Sequence, residues 1–75
     1  MNLKVLILGA GGQGGACASI LSRQKEITEL RLADLKKEIA DAVASHINSP
    51  KVKTYQVNAL NIDEVAEAAE GVDVV

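Results

Sequence analysis

The chain has 75 residues, which limits it to one small domain. Apolar residues make up 48% of it, which is typical of a folded protein, and its single cysteine excludes an internal disulfide. The net charge of −2 and the scattered basic residues argue against binding to nucleic acid or to an anionic membrane surface. A lone cysteine fits a reducing compartment, so we expect a cytoplasmic location.

The first half of the chain predicts two strands separated by a helix. A short, nearly continuous apolar run at residues 3–8 predicts a strand that is buried on both faces, as in parallel sheets. Its uninterrupted part, residues 5–8, is too short for a signal peptide or a membrane span. Small and apolar residues predict a helix over 14–23, with Cys17 on its buried stripe. Residues 29–34 alternate in polarity, which predicts a second strand that is covered on one face only.

The second half of the chain continues the alternation. Apolar residues at helical spacing predict a helix over 35–47. Residues 51–57 are prone to form a strand, and their lysines favour a position at the edge of the sheet. A helix capped by Asn61 is predicted over 61–71, and the apolar stretch 72–75 predicts the start of a fourth strand.

The order of these elements predicts an α/β fold with a parallel sheet. Strands that are separated by helices require right-handed crossovers. The expected strand order is 3-2-1-4, with the first two helices on one face of the sheet and the third on the other. This arrangement is the first half of a doubly wound fold.

Five of the six glycines lie between residues 9 and 15, where the first strand leads into the first helix. Gly9, Gly11 and Gly14 fit G-x-G-x-x-G, the dinucleotide-binding motif of Rossmann folds. In that motif Gly9 would allow a tight turn, and Gly11 would let the backbone approach a pyrophosphate. Gly14 would let the helix pack closely on the first strand. Asp34 follows Gly14 by 20 residues, the spacing of the acid that binds the adenosine ribose.

Other interpretations of these glycines remain open. Gly9, Gly12 and Gly15 also fit G-x-x-G-x-x-G, a spacing seen in atypical short-chain dehydrogenase-like proteins. A non-enzymatic NAD sensor would use the same half-fold. A methyltransferase also combines a glycine loop with an acid after the second strand, but S-adenosylmethionine has no pyrophosphate to require the third glycine.

Four stretches of the chain resemble the N-terminal NAD(P)-binding domain of the saccharopine dehydrogenase family: "KVLILGAGGQGGACASILSR", "EITELRLADL", "VNALN" and "GVDVV". The resemblance implies an oxidoreductase that acts on amines or imines derived from amino acids. It implies that residues 1–75 are a partial Rossmann domain, inactive alone, and that a domain outside this chain binds the small amino-acid-like substrate. A homo-oligomer is a further expectation.

The resemblance also assigns residues of this sequence to parts of the cofactor. Asp34 would bind the ribose, and Asn58 and Ala59 would flank the adenine. The pyrophosphate would lie on Gly9, Gly11, Gly12, Gln13 and Gly14. Leu35 stands where some family members have an arginine, so we expect NAD rather than NADP. We expect no catalytic residue and no metal ligand in this chain.

Overall fold

The computed structural model describes residues 2–11 and 13–75. In this part of the chain strands and helices alternate, in the predicted order. They are β1 (Leu3–Leu8), α1 (Gln13–Leu21), β2 (Ile27–Asp34), α2 (Lys37–Ile47), β3 (Val52–Gln56) and α3 (Ile62–Ala68). Within the same residues, no helix combines the length and the apolar composition needed to cross a bilayer.

The sheet is parallel, with β2 in the centre, and confirms the α/β fold class. Its order is 3-2-1, so β3 lies at an edge, as its lysines predict. On the other edge Val74 forms an isolated parallel bridge with Val5, and the carbonyl oxygen of Val74 accepts a hydrogen bond from the backbone N–H of Leu6 at 2.9 Å. The chain therefore reaches the predicted fourth position through one bridge rather than through a full strand.

The larger core lies between the sheet and the first two helices. Leu30 and Leu32 of β2 are fully buried there, beside Val5 of β1. Ala18 of α1 and Ala40 of α2 are also fully buried, and their small side chains let both helices approach the sheet closely. The first two helices share one face, as predicted.

Helix α3 covers the opposite face and builds a second core. Its buried members are Leu6, Ala33, Val57 and Ala68. The prediction that β2 is covered on one face only is therefore wrong. The polar residues on this face are half-buried because they bond to one another and to α3: Arg31 pairs with Glu29, and its Nη1 donates to the carbonyl oxygen of Ala68 at 2.7 Å.

The buried side of α1 differs from the predicted stripe. Cys17 and Ile20 are exposed, whereas Ala18 is fully buried and Leu21 is half-buried against the core. The reason is the close contact between the start of α1 and the end of β1, which turns Gly14 and Ala18, one helical turn apart, toward the sheet.

Helix α3 begins as predicted. The side-chain oxygen of Asn61 accepts hydrogen bonds from the backbone N–H groups of Asp63 and Glu64, at 3.1 and 3.2 Å. After the helix, Gly71 adopts a φ of 78°, a left-handed conformation that favours glycine. The predicted start of the helix is therefore confirmed, whereas the helix ends at Ala68, before the predicted bound of 71, and Gly71 lies in the turn that follows.

Candidate functional site

A cleft of about 260 Å³ opens at the carboxyl ends of the three strands. It is lined by Leu8, Gly9, Ala33, Asp34, Leu35, Val57 and Ala59. Three residues predicted to bind a cofactor, Gly9, Asp34 and Ala59, thus meet in one place, although they lie far apart in the sequence. In open parallel sheets the carboxyl edge is the place where ligands bind.

The glycine loop turns sharply after β1. Gly9 has a φ of 92°, in the region that side chains disfavour, and its backbone N–H donates to the carbonyl oxygen of Ala33 at 2.8 Å. This bond ties the loop to the end of β2. The predicted role of Gly9 in the tight turn is confirmed.

Gly14 and Gly15 allow α1 to begin close to the loop. A Cβ atom on Gly14 would collide with the carbonyl oxygen of Gly9. One on Gly15 would lie 2.9 Å from the carbonyl oxygen of Ala10. The packing role predicted for Gly14 is therefore confirmed, and Gly15 has a similar role, so packing alone does not decide between the two glycine registers.

Gly11 differs from its neighbours because the fold does not require a glycine there. Among the described residues, a Cβ atom at this position would meet Cγ2 of Ile39 alone, at 3.8 Å, which is an ordinary van der Waals distance. A glycine at this position is therefore not explained by packing, and its predicted contact with a pyrophosphate remains a prediction. Gly12 and the side chain of Gln13 lie outside the described residues, so their predicted contacts remain predictions.

Asp34 is held at the mouth of the cleft by backbone hydrogen bonds. Its Oδ1 accepts from the N–H of Lys36 and its Oδ2 from the N–H of Ala10, each at 3.0 Å. The bond from Lys36 and then the bond from Ala10 lower the pKa of the carboxyl below its ordinary value. Asp34 therefore carries a negative charge in a fixed position, with lone pairs left to accept further hydrogen bonds.

The loop after β3 brings only one of its two predicted residues into the cleft. Ala59 lines the cleft, whereas the side-chain oxygen of Asn58 accepts from the backbone N–H of Leu60 at 2.9 Å. The N–H of Asn58 donates to Oε1 of Glu64, at 3.1 Å. Asn58 thus shapes the loop, and its predicted contact with adenine remains a prediction.

Gln56 contributes to the site in a way that the sequence did not indicate. It lies opposite Asp34 in the register of β2 and β3, and its Nε2 donates to the carbonyl oxygen of Leu35 at 3.2 Å. This bond holds the segment that follows the acid. The sequence offered no signal, because a glutamine on a polar edge strand is ordinary.

The parallel strands, the glycine loop that opens a helix, and the fixed acid after the second strand define a nucleotide-binding unit of the Rossmann type. The family described as saccharopine dehydrogenase NADP binding domain matches residues 5–75. The chain belongs to this family. It is an NAD(P)-binding segment, as the sequence resemblance implied.

Two similar proteins are both dehydrogenases. Carboxyaminopropylagmatine dehydrogenase from Synechocystis sp. (strain ATCC 27184 / PCC 6803 / Kazusa) is 36% identical over 64 residues, which are 85% of this chain and 16% of that protein. The structure of quinate dehydrogenase from Corynebacterium glutamicum in complex with NAD matches with a TM-score of 0.78 and 26% identity, over 99% of this chain and 26% of that one. The chain thus spans a small part of each relative's length.

Proposed function

We propose that this chain binds the adenosine diphosphate half of NAD, as the first half of the cofactor domain of a longer oxidoreductase. The observation that carries the proposal is the Asp34 carboxylate, which is fixed beside the glycine loop in one cleft. A helix N-terminus next to a glycine loop favours phosphate groups, and a fixed carboxylate accepts hydrogen bonds from ribose hydroxyls.

Each part of the cofactor has a place in this proposal. Gly9, Gly11, Gly12, Gln13 and Gly14 would hold the pyrophosphate, and the absence of a side chain on Gly11 would let it approach the backbone. Asp34 would hold the ribose, and Asn58 and Ala59 would flank the adenine. The bound cofactor supplies hydride transfer at its nicotinamide. The residues of this chain bind and orient the cofactor, and we assign no catalytic acid or base among them.

We further propose a preference for NAD over NADP. The lowered pKa of Asp34 keeps its carboxylate charged, and NADP would bring a 2′-phosphate to the same place. Leu35, the next residue, offers no charge to offset this repulsion. Two ribose hydroxyls, in contrast, can both donate to the carboxylate.

The substrate and the rest of the enzyme are proposed from the family. We propose that the longer protein acts on an amine or imine derived from an amino acid, and that its further residues pack along the edge of β1. That edge carries apolar side chains with substantial exposure: Leu8 is 37% exposed, Val74 50% and Val75 68%. The small share of each relative that this chain covers also supports a longer protein.

Titration of the full-length protein with NADH and NADPH, followed by nicotinamide fluorescence, tests the proposed function. We expect NADH to bind more tightly. Asp34→Ser should weaken the binding of NADH by about 10- to 100-fold, because hydrogen bonds to a charged group are lost. Asp63→Ser, which removes an exposed carboxylate from α3, is the control and should bind as the wild type does. Tighter binding of NADPH by the wild type would contradict the NAD preference, and binding of neither nucleotide would contradict the function.

A further inference from the structure

Lys37 begins α2 only three residues after Asp34, so its position along the chain keeps it near the proposed ribose site. It is the first residue of α2, and the N–H of its neighbour Lys36 lies 3.0 Å from Oδ1 of Asp34. By covalent geometry the Cα of Lys37 is then within about 8 Å of that oxygen. A lysine side chain extends on the order of 6 Å from its Cα, so the ammonium group has the length to approach a 2′-phosphate beside Asp34.

In the structure the Lys37 side chain points along the helix instead. Its Nζ lies 3.3 and 3.2 Å from the two carboxylate oxygens of Asp41, one turn further into α2. Asp41 is in turn anchored from the neighbouring strand, because Oγ1 of Thr54 in β3 donates to its Oδ1 at 2.6 Å. Side-chain hydrogen bonds thus connect Thr54, at the edge of the sheet, through Asp41 to Lys37.

The electrostatics of Asp41 favour this arrangement. The hydrogen bond from Thr54 and then the one from Lys37 lower the pKa of Asp41 below its ordinary value, so it is charged at neutral pH. The second-turn position of Asp41 also suits the ion pair, because residues four apart face the same side of a helix.

We infer that Asp41, anchored by Thr54, is a positioning residue for cofactor selectivity, which holds Lys37 away from the place of a 2′-phosphate and so strengthens the preference for NAD. The inference rests on the proposed function and adds a second element to it. The carboxylate of Asp34 repels the phosphate, while Asp41 withholds Lys37, one of the two lysines, with Lys36, that could offset the repulsion. Both side chains of the pair are about half exposed, so the effect is modest.

Four variants of the full-length protein separate this role from a general change of charge. Asp41→Asn releases Lys37 and removes one charge. Thr54→Val removes the anchor without changing the charge. Glu38→Gln is the control, because it removes one carboxylate from the same helix and leaves the ion pair in place. The double variant Lys37→Gln with Asp41→Asn tests whether any gain depends on the lysine.

The measurement is the Kd of NADH and of NADPH for each variant, at low ionic strength where exposed charges act most strongly. We expect Asp41→Asn to bind NADPH about two- to five-fold more tightly than the wild type, the size typical of exposed charge pairs. Thr54→Val should shift in the same direction by less. Glu38→Gln and the double variant should show no gain, and NADH should bind equally to all.

Unchanged NADPH affinity in both Asp41→Asn and Thr54→Val, with NADH binding intact, would overturn the inference and leave the proposed function standing. An equal gain in Glu38→Gln would also overturn it, because the effect would then be one of net charge. Failure of the wild type to bind NADH would contradict the proposed function itself. Circular dichroism of each variant confirms that the fold is kept.

Discussion

The carboxylate of Asp34 accepts a hydrogen bond from the backbone N–H of Ala10, with 3.0 Å between the nitrogen and Oδ2. The acid at the end of β2 and the glycine loop at the end of β1 are therefore joined directly. Ala10 is fully buried, so the bond holds the loop at a point that cannot move without disturbing the core. Ionisation of Asp34 strengthens this bond, because a charged acceptor makes a stronger hydrogen bond than a neutral one.

The first prediction concerns the dependence of stability on pH. Because the pKa of Asp34 is lowered in the folded state, its contribution is fully present above the ordinary pKa of an aspartate, about 3.9. It is lost as the pH falls through the lower pKa of the folded state. Urea unfolding at pH 7 and at pH 3 should therefore show a smaller loss of stability in Asp34→Asn than in the wild type. Because Glu29 and Asp41 also have lowered pKa values, only the difference between the two proteins is informative. An identical loss in both would contradict the prediction.

The second prediction separates two glycines of the loop. Gly14→Ala should destabilise the protein by at least about 1–3 kcal/mol, because its Cβ would collide with the carbonyl oxygen of Gly9. Gly11→Ala should keep the fold, since the added atom makes only an ordinary contact, and should weaken dinucleotide binding. Thermal unfolding and NADH titration of the full-length protein measure the two effects. If Gly11→Ala bound NADH with the affinity of the wild type, Gly11 would not be part of the binding site.

The third prediction concerns the attachment of α3. Arg31 donates to the carbonyl oxygens of Ala68 and Glu70, at 2.7 and 2.8 Å, and its guanidinium lies 5.8 Å from the centre of the Tyr55 ring. We expect Arg31→Met to lower the free energy of unfolding by about 2 kcal/mol, because the pair with Glu29 and both carbonyl bonds are lost together.

Two further variants give the prediction about Arg31 a reference. Arg23→Met changes an exposed arginine after α1 and should leave stability within about 0.5 kcal/mol of the wild type. Glu29→Gln combined with Arg31→Met should lower the free energy of unfolding by less than the sum of the two single changes, because the two side chains interact directly. Additive effects would show that the ion pair contributes little.

The fourth prediction concerns the start of α3. Asn61→Ala should destabilise the protein by about 1 kcal/mol, because two backbone N–H groups of the first turn lose their acceptor. Asn61→Asp keeps an acceptor at the same place and should retain the stability. Hydrogen exchange of the α3 amides resolves the effect locally. Faster exchange in both variants alike would contradict the capping role.

Features that depend on near neighbours could be read from the sequence. Alternation placed Leu30 and Leu32 in the core, glycine spacing placed the loop after the first strand, and Asn61 marked the start of α3. In each case a residue within a few positions provides the pattern, because strand alternation, tight turns and helix caps are local geometry. The predicted α1 stripe failed, since periodicity shows which residues can share a face but not which face meets the sheet.

The sequence by itself determined the class of the fold, the family, and the candidate binding residues, because these follow from element order and from a motif of fixed spacing. Only the tertiary structure decided that β2 is covered on both faces, that Arg31 caps a helix 37 residues away, that Gln56 holds the segment after Asp34, and that Thr54 bonds to Asp41. Such pairs form when crossovers bring distant segments together. Because their energies depend on that proximity, no local pattern in the chain records them.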